Sequence, residues 1–270
     1  MSKGILIVLL GIIAMSESVV ADEAEHPELS KYTAAVWTSP AEGKLNYRFR
    51  FPDNVDTEKT YPIILFLHGA GGRGNDNAGQ LVDASAVKLM KQAGICSTRE
   101  CYVVAGQVPA EKMWVDIPWT TLDHEMPPVS NSMRMMLECF DAFIANPDHR
   151  VDLKRIYVVG LSMGGYGTWD AIQRRAEFFA AAVPICGGGD KRLAAKLTKL
   201  PIWARHGDKD DVVKVSRSQD MVAAIRVAAE GEDSAKRIKY TEVAGHGHNV
   251  WVPALKSQEM WDWLFAQSRE

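Results

Sequence analysis

The sequence predicts an α/β fold, a doubly wound and mostly parallel sheet flanked by helices, on three observations. Short apolar runs bounded by turn residues recur along the chain, segments of helical period fall between them, and no linker rich in Gly, Pro or Ser interrupts the alternation. Strands that alternate with helices need right-handed crossovers and cover on both faces, which describes a parallel sheet between two helical layers.

The strands are read at residues 63–67, 102–105, 156–159, 181–185 and 202–204, with a more polar one at 237–243. An earlier extended piece, 45–51, is expected to form an antiparallel edge strand. Helical periods fall at 81–91, 132–144, 166–175, 192–200, 216–229 and 254–266. Residues 107–130 hold Trp114, Pro118, Trp119, Pro127 and Pro128 without clear periodicity, and a connection of that length usually serves function.

With 270 residues, 47% of them hydrophobic and 24% charged, the chain can bury a full core, which excludes a disordered, collagen-like or disulfide-dense protein. A net charge of -3 gives no basic field to attract a phosphate backbone, so nucleic acid is not an expected partner. Lys3, the apolar run over residues 4–15 and the small residues Val19-Val20-Ala21 read as a secretory signal over residues 1–21. The rival reading, a membrane anchor, needs roughly 20 apolar residues, and this shorter run is followed by Asp22, Glu23 and Glu25. The expectation is a secreted or periplasmic protein, free of the membrane after cleavage, with residues 22–270 as a single domain. In an oxidising compartment Cys96 and Cys101 are expected to close a small loop, while Cys139 and Cys186 read as buried small hydrophobes.

The chemistry-bearing residues follow the strands. The run at 156–159 leads into Gly160-Leu161-Ser162-Met163-Gly164 and then into a helix, giving strand, G-x-S-x-G, helix. A serine on so sharp a turn is lifted above the sheet, with a helix N-terminus aimed at it. Its hydroxyl is a weak nucleophile at neutral pH, so it needs a base, and the base needs a carboxylate to hold its tautomer. Acid candidates follow the strand at 202–204, in His206-Gly207-Asp208-Lys209-Asp210-Asp211, and histidines follow the strand at 237–243, in Gly245-His246-Gly247-His248. The order serine, acid, histidine is the one a doubly wound hydrolase requires.

The loop after 63–67, His68-Gly69-Ala70-Gly71-Gly72-Arg73-Gly74, also contains G-x-G-x-x-G. A dinucleotide site is disfavoured there, because the next strand ends in Ala105-Gly106-Gln107 without a ribose-binding acid. As an oxyanion loop it fits, with the amides of Ala70 and Met163 converging on a carbonyl oxygen. A metal site from Asp208, Asp210, His246 and His248 would leave the serine turn unexplained.

These motifs resemble the α/β-hydrolase superfamily, on Leu67-His68-Gly69-Ala70-Gly71, residues 160–169, residues 206–213 and residues 245–251. Within it the chain looks like the lidless secreted esterases related to feruloyl esterases, polyhydroxybutyrate depolymerase-like enzymes and the catalytic domains of prolyl oligopeptidases. The resemblance places the acid at Asp210 in H-G-x-x-D-x-V-V and favours His248 over His246. Lys214, where relatives often carry Pro, and the doublet Asp210-Asp211 depart from the pattern. It implies a Ser162, His248, Asp210 triad acting through an acyl-enzyme on small-molecule or polymer-linked esters, with no metal or organic cofactor.

The stretch between Ser162 and Asp210 is filled by helix, strand, short helix and strand, leaving no room for a lid domain. Trp114, Trp119 and Trp251 are expected to line the open site as flat apolar surface for an aromatic or polymer-linked acyl group. Two alternatives remain at this point. A peptidase of prolyl oligopeptidase type would need a regulatory domain or an amine-recognising acid, and a non-catalytic binding module would be expected to have lost the serine or the histidine.

Overall fold

The computed structural model describes residues 26–41, 43–229 and 236–270; the signal expected over residues 1–21 lies outside them. The strands are β1 (Thr33–Thr38), β2 (Lys44–Arg50), β3 (Tyr61–Leu67), β4 (Tyr102–Gln107), β5 (Val151–Leu161), β6 (Ala181–Ile185), β7 (Ile202–Gly207) and β8 (Ile238–Val243). They form one sheet in the order β1-β2-β4-β3-β5-β6-β7-β8. β1 and β2 run antiparallel, β2 pairs antiparallel with β4, and every later pairing is parallel.

The helices are α1 (Gly79–Val82), α2 (Ala86–Gln92), α3 (Asn131–Ala145), α4 (Met163–Arg174), α5 (Ser216–Ala228), α6 (Trp251–Lys256) and α7 (Gln258–Phe265). Side-chain alternation along β3 shows why both faces need cover. Ile63, Leu65 and Leu67 join a core with residues of α3, α4 and α5, whereas Ile64 and Phe66 join a second core with residues of α1, α2, α6 and α7. All seven residues of β3 are buried, as a central parallel strand requires.

Several expectations need correction. The strand read at 45–51 is antiparallel but not at the edge, because β1 covers it. β1 itself, Thr-Ala-Ala-Val-Trp-Thr, has no fully buried residue: its four apolar residues are only partly covered or exposed. The helix expected over 81–91 is broken where Ala84 and Ser85 take left-handed φ of 57° and 54°. The one expected over 254–266 is interrupted at Ser257, which is extended and caps α7 by accepting a hydrogen bond from the Met260 amide at 3.2 Å. The segment 192–200 forms a 3-10 helix, Lys191–Leu197, capped by Asp190.

Cys96 and Cys101 are free, buried thiols in the second core. Their turn is closed by backbone bonds, Cys96 N–H to Arg99 O at 2.9 Å and Arg99 N–H to Gly94 O at 2.8 Å, without a cross-link. None of the helices among the described residues is long and apolar enough to cross a membrane.

Candidate active site

Ser162 sits between β5 and α4 with φ 54° and ψ -117°, a backbone geometry that a side chain rarely adopts. The flanking glycines are demanded by close approach: a methyl at Gly164 would strike the Leu67 carbonyl, and one at Gly160 the Gly164 carbonyl. The hydroxyl Oγ is 2.8 Å from His248 Nε2, and His248 Nδ1 is 2.8 Å from Asp210 Oδ2. His248 lies in the loop after β8 and Asp210 in the loop after β7, so three loops at the carboxyl ends of parallel strands bring the groups together.

The adjacent candidates stand apart from this chain of bonds. Asp211 is exposed, and the His246 ring meets the carbonyl of Ala244 at 3.1 Å. The Asp208 carboxylate accepts from the Gly245 amide at 2.7 Å, which ties the two loops together.

Every oxygen of Asp210 is engaged. Oδ1 accepts from the amides of Val212 (3.0 Å) and Val213 (2.9 Å); Oδ2 faces both His248 and the buried His206, whose Nε2 is 3.2 Å away. His206 Nε2 also meets the Val213 carbonyl at 2.9 Å, so it faces acceptors only and must carry its hydrogen there. Burial alone would raise the Asp210 pKa, but hydrogen bonds from His206, His248 and the Val213 amide outweigh it and hold the carboxyl well below its ordinary value.

Ala70 opens a 3-10 turn after β3 and Met163 opens α4; neither amide has a hydrogen-bond partner among the described residues. His68 fixes the peptide that carries the Ala70 amide. The Val108 amide donates to His68 Nε2 at 3.0 Å, so the ring hydrogen is on Nδ1, which donates to the Gly69 carbonyl at 2.5 Å. Gly69 O and Ala70 N–H belong to one peptide plane, so holding the first aims the second. Gln107, at the end of β4, braces the same loop by bonding the Gly72 carbonyl (3.2 Å), Asp76 (2.7 Å) and the Asn77 amide (2.8 Å).

Burial lowers the His68 pKa from 6.5 to about 4. The unfolded chain therefore binds this proton first as the medium is acidified. Stability is expected to fall between pH 6.5 and about 4, by up to about 3 kcal/mol from this group. Calorimetry over that range checks it: a His68→Gln variant should lose part of the slope, and an unchanged slope would remove His68 as its source.

Trp114 is not part of the open surface. It is fully buried, donates from Nε1 to the His68 carbonyl at 3.1 Å and packs edge-on against the His68 ring, so it props the glycine loop from below. Trp119 is half-buried, with its carbonyl accepting from the Tyr166 hydroxyl at 3.0 Å. Trp251, also half-buried, stands perpendicular to the His248 ring with centroids 5.3 Å apart.

The long connection after β4 is pinned along its length. Besides the Tyr166 bond to Trp119, buried Arg217 donates to the Leu122 carbonyl (2.6 Å) and His124 Nδ1 (2.5 Å), Asp190 accepts from the Met126 amide (2.9 Å), and Arg174 donates to the Pro127 carbonyl (2.8 Å). Leu122, near the middle of this tethered segment, is 62% exposed.

A family model described as phospholipase/carboxylesterase matches residues 55–259. The chain belongs to the phospholipase/carboxylesterase family. Among solved structures, this family member is similar to a thermostable esterase, with 32% identity and a TM-score of 0.80 over 90% of this chain and 64% of that one. A ferulic acid esterase shares the fold, at 18% identity and a TM-score of 0.62 over 87% and 98% of the two chains. A bifunctional acetylxylan esterase/xylanase of Neocallimastix patriciarum is 34% identical over 80 residues, 29% of this chain and 12% of that protein. The chain thus spans less than two thirds of the first of these structures and about an eighth of the curated relative.

Some side chains that shape the carboxylesterase-family site escape a sequence reading. His206 precedes Asp210 by four residues, a spacing that hints at contact only once the turn between them is known. Arg217 and Tyr166 are far in sequence from the loop they hold, and no local pattern joins them to it.

Proposed function

We propose that this chain hydrolyses carboxylic esters through an acyl-enzyme on Ser162. The observation that carries the reading is the unbroken chain of bonds from Ser162 Oγ through His248 to Asp210, beside two unpartnered amides. Ser162 attacks the acyl carbon while His248 Nε2 takes its proton; Asp210 stabilises the imidazolium and holds its Nδ1 hydrogen. The oxyanion that forms is held by Ala70 and Met163 amides, a contribution of about 3 kcal/mol per donor. His248 then protonates the leaving alcohol, and water repeats the sequence to release the acid.

The substrate class follows the surroundings. Half-buried Trp251 packs edge-on against the His248 ring, and we read Trp119 as extending this apolar surface, which suits an aromatic or polymer-linked acyl ester. The names of the similar proteins, a ferulic acid esterase and an acetylxylan esterase, agree with this. The apolar run over residues 4–15 supports export, so that the enzyme meets such esters outside the cytoplasm.

A fluorophosphonate probe tests the reading. Labelling should map to Ser162 and accompany turnover of short p-nitrophenyl esters; an unlabelled serine together with no turnover would refute it. A panel of acetyl, butyryl, feruloyl and polyester substrates then ranks the acyl groups. His68→Ala is expected to lower kcat about tenfold to a hundredfold with little change in KM, because it frees the Ala70 amide to turn. A change confined to KM would assign His68 to substrate binding instead.

A further inference from the structure

Behind the triad lies a thiol that the hydrolytic cycle does not use. Cys186, directly after β6, is fully buried with a left-handed φ of 41°, and its Sγ lies 3.7 Å from the His248 carbonyl oxygen. One ligand atom each from Cys186, Asp210 and His248 lie within 4.8 Å of one another, and the Asp210 to His248 separation is 2.8 Å. With the two other separations at their 4.8 Å limit, such a triangle has a centre about 2.5 Å from all three atoms, close to the roughly 2.0 to 2.3 Å at which zinc takes nitrogen, oxygen and sulfur.

We propose that Cys186, Asp210 and His248 form an inhibitory site for a thiophilic divalent cation, zinc or cadmium. The donor set is one thiolate, one imidazole and one carboxylate. Thiolate and imidazole select zinc-group ions, whereas magnesium and calcium prefer all-oxygen sites. The ion displaces one proton to solvent, the Cys186 thiol hydrogen, while the single ring hydrogen of His248 shifts from Nδ1 to Nε2, and it forms bonds to Sγ, Nδ1 and an Asp210 oxygen. No electron is transferred. Entry runs past the His248 ring, whose side chain is 18% exposed, because Cys186 and the Asp210 side chain are closed to solvent. The bound ion takes the carboxylate and Nδ1 away from each other, so the imidazole can no longer be held as a base for Ser162. Only this loss of activity rests on the hydrolase reading above; the binding itself does not.

Cadmium titration of the whole protein tests the site by two readouts. Wild type should develop a thiolate-to-cadmium charge-transfer band and lose esterase turnover in parallel, and magnesium or calcium should do neither. Cys186→Ala should lose one equivalent of the band, and the cadmium concentration that halves its own activity should rise by about 100-fold or more. Comparing each protein with its metal-free self removes any effect of the substitution on basal rate, and difference spectra cancel binding at Cys96 and Cys101. An equal band in both proteins, equal sensitivity in both, or binding that leaves turnover intact would each overturn the proposal. A Cys186-dependent band in a protein without metal-free esterase activity would instead sink the hydrolase reading and leave the metal site standing.

Discussion

Alanine at position 162 is expected to lower kcat on a short p-nitrophenyl ester by about 100,000-fold, with KM nearly unchanged. The side chain is small and the backbone around it is set by neighbours that stay in place, so the proposed binding surface and the two amides should be unchanged. What disappears is the hydroxyl oxygen that His248 Nε2 meets at 2.8 Å. A residue of catalysis over water should survive through the oxyanion amides. Steady-state kinetics decide it, and a rate within tenfold of wild type would remove Ser162 from the chemistry. Ser162→Gly separates the backbone from the hydroxyl. Glycine accepts positive φ without penalty, so this variant should be as inactive as the alanine one yet more stable by about 1 kcal/mol. The strain at this turn then reads as a cost of presenting the hydroxyl.

How much of this was legible in the sequence depends on the range of the interaction. The central strands announce themselves because burial on both faces makes them continuously apolar, as in β3 and in β6, whose bounds match the reading at 181–185. The serine turn is legible for a local reason, since its glycines lie within two residues of it. β1 was missed because its two faces are only partly covered, and the break at Ala84 and Ser85 because nothing in those residue types requires left-handed backbone. Trp114 was misread as surface: an aromatic in a long polar loop looks available, and its burial is decided by His68, 46 residues away. The choice of Asp210 over Asp211 likewise came from a resemblance, and the geometry supplies the physical reason, two backbone amides and two imidazoles converging on one carboxylate.

Asp210→Asn should cost about 10,000-fold in kcat, while Asp211→Asn stays near wild type. The asymmetry follows from hydrogen positions. Oδ1 accepts from the Val212 and Val213 amides, so an asparagine must keep its carbonyl oxygen on that side. Its NH2 then faces the His206 Nε2 hydrogen and the His248 Nδ1 hydrogen, donor against donor. His206 cannot relent, because its Nε2 hydrogen also serves the Val213 carbonyl. His248 can, by moving its hydrogen to Nε2, and that places a hydrogen against Ser162 Oγ where a lone pair is needed. Turning the amide over only moves the clash to the two backbone N–H groups.

The same bonds that depress the Asp210 pKa make it a stabiliser. Its contribution is full above the ordinary aspartate value of 3.8 and is lost as pH falls below it toward the depressed value in the fold. Asp210→Asn should therefore be less stable than wild type at neutral pH, with the gap narrowing on acidification below about pH 4. Equal loss of activity at positions 210 and 211, or a stability gap independent of pH, would break the link between charge, tautomer and rate.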